Sequence, residues 1–198
     1  MATINSNNLG VYAYDAAMTT PLAILDTTQA ISALNNEDAP AGVAEGDKFM
    51  VVNGTAFVGI AEVSSATGSD AVTDRTAGLT LVALATSSSL ESSVAVNETA
   101  ARNGSGGSTN FIASGAMSWS TSVDGLLDVA SSTGSAITVM DAARSENYMI
   151  VKFDIDEGGS NTFYAGQVLI DSVSISGGVD DIATYSASFT GYGDLYKG

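Results

Sequence analysis

The feature that most constrains this chain is its short alternating runs of apolar and polar residues, broken by turns rich in glycine and asparagine. In "KFMVVNGTAFVGIAEV" two β-prone runs flank Asn53-Gly54. That dipeptide suits a two-residue hairpin turn whose central residues need positive φ. Near the end, "SVSISGGVDDIATYSASFTGYGDL" puts Val173 and Ile175 on one side of a strand, and Ser172, Ser174 and Ser176 on the other. Turns recurring at about ten residues are the spacing of an antiparallel β-sandwich or barrel. No regular strand–helix alternation points to a parallel α/β sheet.

The pass along the chain gives roughly eight to ten strands and one good helix. Residues 1–40 read as an N-terminal arm or extension. They hold a strand in "LGVYAYDA", both prolines, and a strand or helical turn between Thr28 and Asn35. Residues 41–198 read as the main β domain. "LTLVALATSSSLESSVAVNETA" is strand-like throughout, and "RNGSGGSTN" (102–110) reads as a flexible loop. "FIASGAMSWSTSVDGLLD" puts Met117, Trp119 and Thr121 on one face. The helix is "GSAITVMDAARSEN", capped by Ser135 and ended by Asn147, with Ile137, Met140, Ala143 and Arg144 on one side. "YMIVKFDI" follows as a strand. "NTFYAGQVLIDSVSIS" is one strand, or two with a bend at Gly166.

Composition narrows the chemistry. The 198 residues include no histidine and no cysteine. The commonest general base, the commonest metal ligand, thiolate metal sites and disulfides are therefore all absent. There are 22 acids against 6 bases, a net charge of −16. A chain that grips nucleic acid needs clustered Lys and Arg, so specific DNA binding is not expected, nor is attraction to an anionic membrane surface. No apolar run approaches the ~18–20 residues of a membrane-spanning helix. The N-terminus lacks the basic start and apolar core of a signal peptide, which leads us to expect folding in a cytoplasm.

The remaining motifs carry little chemistry. "DIDEGGSN", with Asp154 and Asp156, starts like a calcium loop but has Gly158 where Asp or Asn is needed and Ala165 where the closing glutamate belongs. An acidic hairpin turn is the better reading, and no metal or other cofactor is expected. Asp180 and Asp181 are adjacent, so on a strand they face opposite ways and do not flank one glycosidic bond. Trp119, the only tryptophan, reads as a core or interface anchor; stacking on a sugar is the alternative. An enzyme is not expected.

Four segments, in order, resemble the tail tube (major tail) proteins of long-tailed bacteriophages. They are "LVALATSSSLESSVAVNETAARNG", "ASGAMSWSTSVDGLLD", "VMDAARSENYMIVKFDI" and "FYAGQVLIDSVSISGGVDDIATYSASFTGYGDL", the last with its Gly-x-Gly-x-Leu ending. They span Leu79 to Leu195; residues 1–78 do not share the likeness. The resemblance implies a mainly β, antiparallel sandwich or barrel of the tail-tube type with one flanking helix. It implies hexameric rings stacked into a tube that conducts viral DNA without specific binding. It also implies the tape-measure protein, tail terminator and tail-tip proteins as partners, residence in the virion tail, and assembly in the host cytoplasm. On that reading Asp180, Asp181, Asp154 and Asp156 are candidate lumen or ring-contact acids. Trp119, Val173, Ile175 and Phe189 are candidate core or interface anchors, with Ile182 and Tyr185 adding apolar contacts. A head decoration or neck protein, or a carbohydrate-binding β-sandwich, are the alternatives.

Overall fold

The computed structural model describes residues 9–14, 20–64, 71–82, 84–102, 108–126, 136–144, 148–156, 161–177 and 182–198. Among them are eleven strands in one connected sheet and one α-helix. The strands are β1 (Leu9–Tyr14), β2 (Ala23–Asp26), β3 (Lys48–Asn53), β4 (Ala56–Glu62), β5 (Thr73–Asp74), β6 (Leu79–Leu81), β7 (Leu84–Arg102), β8 (Ser108–Leu126), β9 (Tyr148–Asp156), β10 (Asn161–Ser176) and β11 (Thr184–Lys197); helix α1 is Ala136–Arg144.

Hydrogen-bonded neighbours run in a circle. β1 pairs with β9, β9 with β10, β10 with β11, β11 with β8 and β8 with β7, all antiparallel. The circle closes because the strand that continues from β7 toward the N-terminus changes neighbour: β6 pairs with β1, not β8. Val82 is the corner. Its N–H donates to the Val11 carbonyl at 2.8 Å, and its carbonyl accepts the Tyr185 hydroxyl at 2.7 Å. Both backbone groups are thus satisfied where the ladder breaks, as a buried corner requires.

The barrel interior is filled from every wall. Val11, Val82, Trp119, Val123, Met149, Val151, Phe153, Val168, Tyr185, Ala187 and Phe189 pack with Val139 of α1. The alternation in β11 is clean: Tyr185, Ala187 and Phe189 are buried, while Thr184, Ser186 and Thr190 are exposed. The expected helix face differs. Among its described side chains Val139 is the fully buried one, whereas Arg144 points to solvent and pairs with Asp141 at 3.8 Å. A nine-residue helix end that carries a guanidinium gains more from water than from a mainly apolar core. Ser135 and Asn147 lie outside the described residues.

A second layer covers part of the barrel's outer side. The β3–β4 hairpin lays Met50, Val52, Phe57 and Ile60 over Tyr14, Ile150, Ala165 and Tyr196. Its other face meets Ile31, Leu34 and Val72, with Ile31–Ala33 forming a short 3-10 turn. The hairpin turn falls one residue later than expected. Asn53 pairs with Ala56, so Gly54 and Thr55 occupy the central positions, with Gly54 at φ +59°. Asp26 accepts the Gly54 N–H at 2.8 Å, which favours that register. Two contacts are parallel rather than antiparallel: β2 with β3, and Lys197 of β11 with Ala56 of β4. The 1–40 segment places β1 inside the barrel wall and β2 on the hairpin, joined to the same sheet as the rest. Gln167, which sequence gave no reason to single out, is buried and anchors this segment: it accepts from Leu22 N–H at 2.8 Å and donates to the Leu22 carbonyl at 2.9 Å.

Trp119 explains the Gly-x-Gly ending. Its Nε1–H donates to the Gly193 carbonyl at 3.0 Å, and its ring lies flat against Gly166 and Gly191, where a Cβ would meet the indole. Gly193 itself takes φ +73°. The β10–β11 register is irregular here, Ala165 pairing with Tyr196 and Gln167 with Tyr192, so the bend expected at Gly166 is a bulge in its partner strand. Gly191→Ala is expected to cost about 1–3 kcal/mol by overpacking; an unchanged denaturant midpoint would refute this account of the motif.

Tyr185 carries a second test. Burial, reinforced by the charge of Asp124, pushes its hydroxyl up to about 12 from 10.0. A group whose folded-state value is raised contributes stability that is complete below its unfolded value and lost as pH rises through the folded one. Stability to denaturant should therefore fall from pH 10.0 towards about 12, and Tyr185→Phe should flatten that alkaline limb while lowering stability near neutrality. Parallel alkaline limbs in the two proteins would contradict the corner assignment.

Candidate assembly and channel surfaces

Beyond the barrel, β7 and β8 continue as a two-stranded ribbon. β11 accompanies β8 only from Leu126 to Ser120, whereas β8 pairs with β7 all the way to Ser108 and Arg102. Of the Gly/Ser stretch expected as a 102–110 loop, Arg102 and residues 108–110 are strand, because pairing continues on both sides; residues 103–107 lie outside the described set. The ribbon is bulged between Val94 and Val96, where Gly115 sits against Ala95 and leaves no room for a Cβ.

The ribbon has two unlike faces. The face that continues the barrel interior carries Leu90, Val94 and Met117 beside Trp119, with Val96 at the next alternate position. Past the barrel mouth nothing described covers it, and Val94, Val96 and Met117 are 48%, 60% and 45% exposed. Single exposed apolar residues are ordinary, but a row continuous with a core is the mark of a surface awaiting a partner.

The opposite face is paved with hydroxyls. Ser89, Ser122, Ser188 and Ser172 lie side by side across β7, β8, β11 and β10. Ser89 and Ser122 hydroxyls are 2.8 Å apart, Ser172 and Ser188 2.7 Å, and Ser93 and Ser118, two rows up the ribbon, 2.9 Å. The neighbouring row is Ser87, Asp124, Ser186 and Ser174. Among residues 84–101, 108–126, 161–177 and 182–196 there is no Lys or Arg. Charge on this face is acidic and sparse: Glu91, Asp124 and Asp171 are exposed.

Three of the bases are paired elsewhere in the fold. Lys48 and Arg75 both pair with Glu62, at 3.4 and 3.0 Å. Lys152 pairs with Asp154 at 3.2 Å and lies 4.4 Å from the Phe163 ring centroid and 5.0 Å from that of Tyr12. Asp154 is therefore a strand residue held in a half-buried ion pair, not a freely exposed channel acid. Asp156 ends β9, its backbone opposite Asn161. Asp180 and Asp181 lie outside the described residues. Of the proposed anchors, Trp119 and Phe189 are buried, and Val173 packs at the core's margin. Ile175 is 43% exposed and Ile182 72%, both at the barrel end away from the ribbon. Among the described residues no group of His, Cys, Asp or Glu has metal-site geometry.

A family model described as phage tail tube protein matches residues 63–197. The chain belongs to that family. It is a structural protein of the viral tail. The match begins earlier than the Leu79 start of the resemblance and takes in β5 and the 3-10 turn at Thr76–Gly78; β1 to β4 lie outside it. Solved structures with similar chains include the tail of an empty gene transfer agent particle refined with C6 symmetry, at 14% identity, 60% of this chain, 84% of that chain and a TM-score of 0.47. Another is the tail tube of SPP1, at 16% identity, 58% of this chain, 64% of that chain and a TM-score of 0.42. A third is the anti-feeding prophage baseplate, at 15%, 55%, 76% and 0.41. No curated protein sequence matches the chain.

The Glu62 cluster, which ties the outer layer together, gives a pH test. The Arg75 guanidinium, and after it Lys48, hold the Glu62 carboxyl below its usual 4.5 against a smaller opposing effect of burial. A lowered folded-state value means stability that is present above 4.5 and lost as pH falls through the lowered value. Acid unfolding of the tail tube protein should be less steep in Glu62→Gln over that window; identical acid limbs would contradict it.

Proposed function

We propose that this protein closes into stacked, hexameric rings by pairing the outer edge of β7 in one copy with the edge of β10 beyond Leu169 in the next. The observation that carries this is the long β7–β8 ribbon. β7 has β8 on one side and, among the described residues, no strand on the other. β10 likewise loses β9 as a neighbour after Leu169. Long free edges invite uncontrolled pairing, and joining them round a ring removes the hazard. A head-to-tail contact that closes gives a ring, and the same subunit stacked on itself gives a tube.

In this arrangement the four strands β7, β8, β11 and β10 form one panel of the inner wall, with the hydroxyl face towards the DNA. The apolar ribbon face is covered by a neighbouring subunit. The outer layer built on β2, β3 and β4 is an addition to the family's common barrel and faces away from the channel. Asp180 and Asp181, which lie between β10 and β11 in the sequence, are candidate acids of the channel rim or of a ring-to-ring contact. DNA passes through without specific binding. The tape-measure protein, tail terminator and tail-tip proteins are the other partners, assembly takes place in the host cytoplasm, and the subunit has no catalytic role.

The test shortens the ribbon. Replacing residues 95–116 with Asn-Gly joins Val94 to Met117 through a two-residue hairpin turn. The variant should keep the β circular dichroism and unfolding midpoint of the parent, yet form no tubes by electron microscopy or sedimentation. Tubes appearing at the parent's concentration would remove the ribbon from the assembly.

A further inference from the structure

We propose that Asn53-Gly54 is a site of spontaneous covalent modification, asparagine deamidation, held in check by the Asp26 carboxylate. In that reaction the Gly54 nitrogen loses its proton to solvent base and attacks Cγ of the Asn53 side chain. A C–N bond forms, the side-chain amide leaves as ammonia, and a five-membered imide ring closes. Water then opens the ring to aspartate, or to isoaspartate with an extra methylene in the main chain. Glycine in the second position leaves the attacking nitrogen uncrowded. The reaction belongs to the single subunit and is independent of how rings form.

The turn meets every requirement but one. Asn53 and Gly54 are both exposed. Among the described residues, nothing beyond its chain neighbours lies within 4 Å of where a Gly54 Cβ would stand, so water and base reach the site. The missing requirement is a free Gly54 N–H. Asp26 Oδ1 accepts that N–H at 2.8 Å. A carboxylate holds this proton rather than taking it, because a backbone amide is a far weaker acid than a carboxylic acid. Its charge also opposes the amide anion that must form, as any nearby like charge does. Once the ring closes, the nitrogen carries no hydrogen, and the carboxylate loses its partner.

The guard is itself fastened. Asp26 ends β2 opposite Val52 of β3, and the Thr27 N–H donates to the Val52 carbonyl at 2.8 Å. On the other side of the turn, the Lys197 N–H donates to the Thr55 carbonyl at 2.9 Å. Asn53 is the last residue of β3 and pairs with Ala56. Extended backbone turns the next nitrogen away from the residue's own side chain. Ring closure must rotate that backbone, which breaks the Asn53–Ala56 pair and slackens the Lys197 contact. One modified residue would thus loosen β2, the β3–β4 hairpin and the end of β11 together.

The experiment incubates the intact protein at mildly alkaline pH, folded and in urea. Conversion at Asn53 is read by peptide mass spectrometry as amide-to-acid exchange, with isoaspartate resolved by chromatography. In the parent, Asn53 should convert about tenfold or more slowly folded than in urea. Asp26→Ala should raise the folded rate about tenfold or more, the factor carried by one hydrogen bond to a charged group, and leave the rate in urea unchanged. Asp26→Asn, which keeps an acceptor and loses the charge, should fall between the two and serves if Asp26→Ala does not fold. The chain's other Asn-Gly, at 103–104, is an internal clock whose rate should be the same in the parent and the folded variants. Parent Asn53 reacting as fast folded as in urea, or folded Asp26 variants reacting no faster than the parent, would overturn the proposal. So would an equal rise at Asn103, which marks general loosening rather than a guard at this turn.

Discussion

Everything in this fold depends on the corner at Val82. A single stretch of chain, Leu79–Arg102, serves two different neighbours, β1 before the corner and β8 after it. Without the change of partner, β6 would extend the β7–β8 ribbon and the barrel would stay open beside β1. Hydrogen bonds from Val82 to Val11 and from Tyr185 to Val82 hold the corner at full backbone satisfaction. Leaving either group unpaired in a buried site would cost about 1–3 kcal/mol. Closure in turn fixes which residues of β8 and β11 point inward, and so which face is left for hydroxyls.

The closed barrel separates two tasks that conflict on one surface. Assembly needs apolar area and strand edges to bring subunits together. The proposed DNA channel needs a face with neither. The two-residue period of a strand supplies both from the same ribbon: Val94, Met117 and Trp119 on one side, Ser93, Ser118 and Ser120 on the other. The abundance of serine, which looks featureless in composition, is the polar half of that pattern. Of the chain's six bases, four are paired with acids, while Arg102 and Lys197 stand at strand ends.

Much of this was legible from the residues. Two β-prone runs flanking Asn53-Gly54 announced β3 and β4, alternation announced β8 and β11, and Trp119 and Phe189, read as core or interface anchors, are buried. The family resemblance was carried by ordered segments rather than by any site. Other features were hidden because they are non-local. Nothing in "LTLVALAT" reveals that the chain changes partner at Val82, since both halves are equally strand-like. Gln167 looks like an exposed strand residue until the Leu22 backbone is laid against it. Asp154 looks like part of an acidic turn, and only the register of β9 against β1 and β10 brings Tyr12 and Phe163 round Lys152. The Asn53-Gly54 signal located the hairpin correctly but missed its centre by one residue, because Asp26, distant in sequence, captures the Gly54 amide.

The most direct measurement is a helical reconstruction of the assembled tube by electron cryo-microscopy. The account predicts β7 of each subunit hydrogen-bonded to the Ile170–Ser176 edge of its neighbour, with Ser89, Ser122, Ser188 and Ser172 bounding the channel. A map with that serine row on the outside of the tube, or with the β7 edge unpaired, would contradict it.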